Sequence, residues 1–301
     1  MSVIKIEKCP VCGSGDFKKV FDAVDHFSSR EVFPVCDCRM CGFRFTNNFP
    51  SEDVIGKYYD SPDYISHSDS VLGMTNKLYH LFRRELLKRK IRLVKKDVAR
   101  KNARLLDIGC GTGYFLHAAK EAGLRVTGIE KNSMAREKAS SLFSLDVREE
   151  SAFFHLQPSS FDAVTLWHVL EHLEKLNESL EKVNEILTPD GTLILALPNH
   201  LSYDARIYGN QWAAYDVPRH LWHFTPFTLE RLLKRHHMKV VKKYRMPLDA
   251  FYISLLSEKY GGNNLWGQYG RAFLTGTAGF FRSLHKPEQS SSLIYIVHKD
   301  A

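Results

Sequence analysis

Leu105-Leu106-Asp107-Ile108-Gly109-Cys110-Gly111-Thr112-Gly113-Tyr114 is the stretch on which the reading of this chain turns. An apolar run carrying one acid leads into three alternating glycines, and a helical pattern follows. Glycine lets the backbone turn sharply and lets a ligand approach without a Cβ in its way. Position 114 is Tyr, so the spacing is G-x-G-x-G rather than the G-x-G-x-x-G of a dinucleotide site. Glu130 ends the next apolar run, where a carboxylate can accept both hydroxyls of a ribose.

Outward from this loop, strand-like and helix-like patterns alternate. Strands are expected at 103–108, 125–129, 145–148, 162–166 and 192–197, with two more at 239–244 and 292–298. Such alternation implies an α/β fold, a mostly parallel sheet with helices on both faces. Upstream, Leu78, Phe82, Leu86, Ile91, Val94 and Val98 recur near helical spacing, with basic residues on the other face. Residues 49–73 read as a short helix and a loop, so 49–102 is a linker and helical cap. The ligand-binding domain is 103–301, with an aromatic insertion at 250–285 for which core packing is expected.

Five of the six cysteines fall in the first 41 residues. Cys9-Pro-Val-Cys12-Gly and Cys38-Arg-Met-Cys41-Gly repeat one pattern. Each C-x-x-C-G turn aims two thiolates at one point, and two such turns close a tetrahedral site for Zn²⁺. Four thiolates leave no open coordination position, so the metal is expected to staple the fold. This predicts a zinc ribbon over 1–48, with strands at 17–21 and 43–46, a core of its own, and Cys36 as a spare.

The 301 residues are 44% hydrophobic with a net charge of +8. That excludes wholesale disorder and a disulfide mini-protein. No apolar run approaches the ~18 residues of a membrane span, and the N-terminus has no signal-peptide core, so a cytoplasmic location is expected. The charge is concentrated in two basic stripes. Residues 83–104 hold eleven Lys/Arg against two acids, and 231–245 hold seven and no acid. They can attract phosphate-bearing partners or serve as solvated faces.

With Asp107, the glycine loop and Glu130 in place, the chain from about 100 to 245 resembles class I S-adenosylmethionine-dependent methyltransferases. Phe161-Asp162-Ala163-Val164-Thr165-Leu166-Trp167-His168 and Leu187-Thr188-Pro189-Asp190-Gly191-Thr192 are similar to that family's fourth-strand motif and its turn into the fifth strand. The resemblance implies a Rossmann-like, mostly parallel seven-stranded sheet. It implies S-adenosylmethionine bound by Asp107, Gly109, Cys110, Gly111, Gly113 and Tyr114 at the methionine end, Glu130 at the ribose, Leu166, Trp167 and His168 on the far side, and Ser151 near the adenine. Joined to a zinc ribbon, the domain resembles bacterial sugar C-methyltransferases, and it is also similar to ubiquinone-biosynthesis O-methyltransferases. The implied acceptor is a small molecule, a nucleotide-linked sugar or saccharide, with a quinone-like ring or RNA as alternatives. The place where adenine N-methylation carries N-P-P-Y reads Leu166-Trp167-His168-Val169, which argues against nucleic acid.

Residues 199–227 follow the fifth strand and are placed to cover a ligand beyond the strands' carboxyl ends. They carry Tyr203, Tyr208, Trp212, Tyr215, Trp222 and Phe224, whose rings suit sugar faces. His220 or His223, oriented by Tyr215, is the expected base, since neutral imidazole takes a proton near pH ~6.5. Arg219 is expected to hold a substrate phosphate. His168 and His172 are expected to share a helix face, and His236 and His237 to be solvated.

Overall fold

The computed structural model describes residues 3–59, 74–98, 100–261 and 265–300, with residues 74–83 and 265 described by backbone alone. The N-terminal part holds β1 (Val3–Ile4), β2 (Phe17–Val24), β3 (Val32–Cys38), β4 (Arg44–Thr46), β5 (Phe49–Pro50) and the short helix α1 (Glu52–Ile55). β3 was not expected. It pairs antiparallel with both β2 and β4 and forms the middle of the ribbon sheet.

After α2 (Met74–Asp97) come β6 (Arg104–Ile108), α3 (Tyr114–Glu121), β7 (Arg125–Ile129), α4 (Ser133–Phe143), β8 (Val147–Arg148), α5 (Glu150–Phe153), β9 (Phe161–Trp167), α6 (Leu176–Ile186) and β10 (Leu187–Pro198). Then follow α7 (Tyr203–Tyr208), β11 (Trp222–His223), α8 (Pro226–Arg235), β12 (Met238–Arg245), α9 (Asp249–Tyr260), α10 (Leu265–His285) and β13 (Ser292–Lys299). The expected alternation is realised in a seven-stranded sheet of order β12-β13-β10-β9-β6-β7-β8. The run from β10 to β8 is parallel, whereas β13 is antiparallel to both of its neighbours.

Alternation along the central strands sorts the core into two layers, because successive side chains point to opposite faces. Leu193, Leu195 and Leu197 of β10 pack with Leu229, Leu232 and Leu233 of α8 and Leu180 and Val183 of α6. Ile194 and Ala196 face the other way, toward Phe115 and Ala119 of α3 and Val94 of α2. The inner face of α2 is Leu87, Ile91, Val94 and Val98. Leu86, expected inside, is exposed, and Leu78 and Phe82 have no described side chains.

Two expectations are corrected at this level. The ribbon has no core of its own: Cys9, Cys38, Phe43 and Phe45 belong to the same apolar cluster as Leu106, Leu166 and Trp222. β11 is the reason, since it leaves the loop after β10 and pairs antiparallel with β4, making the ribbon sheet β11-β4-β3-β2. The insertion packs into the core only in part: Ile253 is buried with Trp212 and Tyr215, and Tyr260 packs against them. It forms the helix pair α9–α10, on which Trp266, Tyr269, Phe273 and Phe281 stand exposed.

Candidate active site and metal centre

The glycine loop joins β6 to α3 and all three glycines have positive φ, 69°, 55° and 81°. A Cβ on Gly109 would come within 2.5 Å of Val169, and one on Gly113 within 2.7 Å of Leu145. Above Gly111 the space is open. Asp107 is buried at the end of β6 and accepts a hydrogen bond from the Thr165 hydroxyl at 2.6 Å. Burial pushes its pKa up to about 7. Glu130 sits just beyond β7. Its carboxylate accepts the N–H groups of Gly111 at 2.8 Å and Asn132 at 2.9 Å, so it shapes the loop and keeps lone pairs for a ligand hydroxyl. A tight glycine turn, an open backbone and a carboxylate at the next strand end fit the ribose and amino-acid parts of S-adenosylmethionine.

The other residues expected at the cofactor have neighbours of their own within the chain. Cys110 is buried beneath the loop, its sulfur lying where a Cβ on Gly128 would have to go, 2.6 Å away. Tyr114 packs edge-on against Phe143. Leu166 is buried in the sheet core. Ser151 is exposed on α5 and donates to the Glu149 carboxylate. Trp167 leans on Phe115, with its ring 5.5 Å away.

Beyond β9 the chain does not continue as an α-helix. His168 has φ of 59° and a short 3₁₀ turn covers Leu170–His172. His168 and His172 therefore do not share a face. His168 lies between carboxylates, Nδ1 3.5 Å from Glu171 and Nε2 3.6 Å from Asp249. Burial opposes its charge, but the two carboxylates outweigh this and raise its pKa. His172 faces His220, with ring centroids 4.5 Å apart.

Each of these two rings is set by a backbone carbonyl. His172 Nδ1 lies 2.9 Å from the Arg219 oxygen, and His220 Nδ1 2.8 Å from the Ala214 oxygen. A carbonyl only accepts, so both Nδ1 atoms carry a hydrogen, and Nε2 is the atom each ring has left for other partners; that of His220 lies 3.9 Å from the Asp216 carboxylate. Burial, and then the charge of His220, push the His172 pKa down to about 4. Glu171 is fully buried, and among the described residues its carboxylate has no partner closer than His168 Nδ1 at 3.5 Å. Glu171, His172 and His220 converge, one ligand atom from each lying within 4.8 Å of the others. Sequence reasoning missed Glu171. Its signal was the His168-Val-Leu-Glu171-His172 run at the end of a strand that carries the cofactor motif.

The loop residues divide between site and scaffold. His220 is partly buried at the cluster. His223 is buried on β11 with Nε2 3.0 Å from the Thr46 hydroxyl. Burial, and then the His220, His200 and Arg44 charges, hold its pKa well below the usual imidazole value. The Tyr215 hydroxyl bonds neither histidine, since it accepts from Arg44 Nη1 at 2.6 Å, but its ring packs edge-on against His223 with centroids 5.0 Å apart. Arg219 holds no phosphate. It is 2% exposed and its donors go to Asp216, Asp25 and the Tyr58 carbonyl. Trp212, Tyr215, Trp222 and Phe224 are buried, so these rings form a core rather than a sugar platform. His236 is also buried, with Nε2 2.8 Å from Asn177, whereas His237 is exposed as expected.

The expected cysteines do converge. Cys9 and Cys41 sulfurs are 3.5 Å apart, as are those of Cys12 and Cys38, and all four fall within 4.8 Å of one another. Four thiolates at ~2.3 Å from one ion have sulfurs ~3.8 Å apart, so the donor set fits a tetrahedral metal. Both turns close alike, with Gly13 and Gly42 at positive φ donating back to Cys9 and Cys38. Cys36 lies on β3 outside the cluster.

Residues 79–243 match a family described as a methyltransferase domain. A ubiquinone biosynthesis O-methyltransferase of Xanthomonas campestris is 32% identical over 139 residues, which is 43% of this chain and 58% of that protein. The mitochondrial one of Schizosaccharomyces pombe is 34% identical over 101 residues, 31% of this chain and 37% of that protein. The chain thus spans little more than half the length of the bacterial relative. A methyltransferase structure from Galdieria sulphuraria superposes with a TM-score of 0.50 at 11% identity, covering 73% of this chain and 86% of the other. That likeness concerns the fold alone.

Proposed function

The chain belongs to the methyltransferase-domain family, and from that premise we propose that it transfers a methyl group from S-adenosylmethionine to a small-molecule acceptor, a nucleotide-linked sugar or related saccharide. The observation that carries the reading is the His172–His220 pair beside Glu171, with His172 just past the end of β9, the neighbour of the strand β6 that leads into the glycine loop. An acceptor that must shed a proton meets the imidazole nitrogens of His172 and His220 there.

Bound S-adenosylmethionine supplies an electrophilic methyl carbon on a good leaving group. The chain's own contribution is alignment and proton handling. His220 Nε2 takes the acceptor proton, its ring held by the Ala214 carbonyl. The Glu171 carboxylate, buried beside it, stabilises the imidazolium that forms. Burial works against that carboxylate's charge, but the His168, His172 and His220 imidazoles outweigh it and lower its pKa. His172 stays neutral at pH 7 and lines the same space.

The basic stripes do not support an RNA acceptor. Lys242 pairs with Asp97, Lys243 with Glu230, and Arg100 and Arg104 with Asp162, so several of their charges are met within the chain. A second reading, O-methylation of a quinone-like ring, is favoured by the names of the curated relatives. One Zn²⁺ on Cys9, Cys12, Cys38 and Cys41 completes the proposal as a structural ion. The test is label transfer from methyl-labelled cofactor to nucleotide-sugars, quinols and RNA. Transfer to a nucleotide-sugar supports the reading, and transfer confined to quinols or RNA overturns the saccharide assignment.

A further inference from the structure

Ala272, Gly276, Gly279 and Ser283 recur at helical spacing along α10, and all four are buried. A Cβ on Gly276 would come within 2.6 Å of Phe251, and one on Gly279 within 3.5 Å of Ala250, so α10 lies close upon α9. The other side of the same helix carries Trp266, Tyr269, Phe273, Leu274, Phe281 and Leu284. All six are exposed, from 45% at Leu284 to 89% at Trp266. At ~3.6 residues per turn they fall within an arc of about 140°, along a helix ~30 Å long. Scattered apolar residues on a surface are ordinary, but six on one face of one helix mark a surface that something covers.

Charge selects what covers it. Between Glu258 and Glu288 the chain holds Lys259, Arg271, Arg282 and Lys286 and not one acid. Glu258 is itself buried, 3.2 Å from Arg271. Lys259, Arg282 and Lys286 are exposed and form no ion pair with a described acid. On the helical wheel Arg271 and Arg282 follow the apolar arc on its Leu274 side. Two copies packed through this face would set cation against cation with no acid opposite, which disfavours self-association. An anionic lipid surface accepts both features. Its headgroup–acyl boundary receives Trp, Tyr, Phe and Leu, and its phosphates meet the cations. Among the described residues no helix is long and apolar enough to cross a membrane, so α10 would lie along the surface.

We propose that the α9–α10 insertion is a peripheral membrane anchor. Its α10 docks in the plane of an anionic bilayer, with Trp266, Phe273, Leu274 and Phe281 in the headgroup–acyl boundary and the Lys and Arg side chains at phosphate level.

The test is co-sedimentation of the full chain with two kinds of vesicle, phosphatidylcholine alone and phosphatidylcholine mixed with phosphatidylglycerol. Binding to the anionic vesicles, falling as salt rises, with little on the neutral ones, is the expected result. Trp266 is the one exposed tryptophan of the four, so anionic vesicles should also blue-shift the emission and shield it from acrylamide. That readout needs no variant. Trp266→Ser together with Leu274→Ser should weaken vesicle binding ~10–100-fold, since two anchoring side chains are lost, and leave the melting temperature unchanged. Lys259→Glu together with Lys286→Glu should weaken binding to the anionic vesicles by more than ~10-fold. No vesicle binding at low salt would overturn the proposal, as would binding that the Trp266→Ser, Leu274→Ser chain keeps in full. Equal binding to both kinds of vesicle would overturn the assignment to an anionic surface. A dimer in sedimentation velocity that these two serine substitutions dissolve would make a second copy the occupant, and would overturn the proposal as well.

Discussion

His220 and His223 are three residues apart in one loop, yet their surroundings give them different work. His220 Nε2 makes no hydrogen bond with any described residue, the Asp216 carboxylate lying 3.9 Å away, while His223 Nε2 is taken by Thr46 inside the core. His220→Ala should therefore slow single-turnover methyl transfer by ~10²–10⁴ while leaving S-adenosylhomocysteine affinity unchanged. His223→Ala should lower stability, and calorimetric melting set beside stopped-flow turnover separates the two effects. Arg219 makes the residue-scale case for scaffold over chemistry. It lies against Asp25, which is 0% exposed, so Arg219→Met removes the ion-pair partner of a buried carboxylate and leaves it only the N–H groups of Phe27, Ser28 and Ser29 and the Ser29 hydroxyl. A loss of about 3–5 kcal/mol is expected from urea unfolding. Glu130→Ala removes the carboxylate that braces Gly111 and faces the ribose position. It should weaken cofactor binding by about 1.5–3 kcal/mol, and unchanged affinity would count against that placement.

At the scale of elements, the two-residue strand β11 couples the ribbon to the loop that carries His220, the proposed base. β4 pairs with it, the Thr46 hydroxyl donates to the His220 carbonyl at 2.8 Å, and Arg44 reaches Tyr215. Thr225 then caps α8 through a capping box with Thr228 and closes the segment from the other side. A metal that sets the ribbon turns therefore acts on the loop that carries His220. Metal analysis should find one zinc per chain. Chelation or Cys38→Ser should lower the melting point of the entire chain and depress turnover. Two separate melting transitions, with turnover intact after zinc loss, would show that the ribbon is an independent module.

Over the whole molecule, burial of neutral histidines sets the response to acid. His172 and His200 are pushed down to about 4 and His223 well below its usual value, each chiefly by desolvation. The unfolded chain binds protons at these positions near pH ~6.5 and the folded chain does not, so stability falls as pH drops from about 6.5 toward 4. His168 has the opposite sign. Its raised pKa adds stability that is complete below ~6.5 and is lost as pH rises through the folded value. Urea midpoints measured against pH should slope upward between 4 and 6.5. His223→Gln should reduce that slope by about one proton, and an unchanged slope would mean that His223 titrates normally in the folded chain.

Much of this was open to a reader of the sequence because it is local. The glycine spacing, the period-two apolar runs and the two C-x-x-C-G turns are contiguous, and each carries its own geometry: positive φ, alternating faces and paired thiolates. The seven strands and the cysteine cluster follow from them, with boundaries shifted by a few residues. Tertiary structure alone decided what the loop histidines do. Glu171, His172 and His220 come together from two segments nearly fifty residues apart in the chain, and Lys90 meets Trp167 across a helix–sheet interface. The aromatic residues of the loop have the composition of a sugar platform, yet Trp222 and Phe224 join a core shared with the ribbon strand β4, and Trp212 and Tyr215 join another with Ile253 of α9. Composition gives polarity and size, but which face of a side chain is covered depends on a partner strand nearly 180 residues away, and no local pattern encodes that pairing.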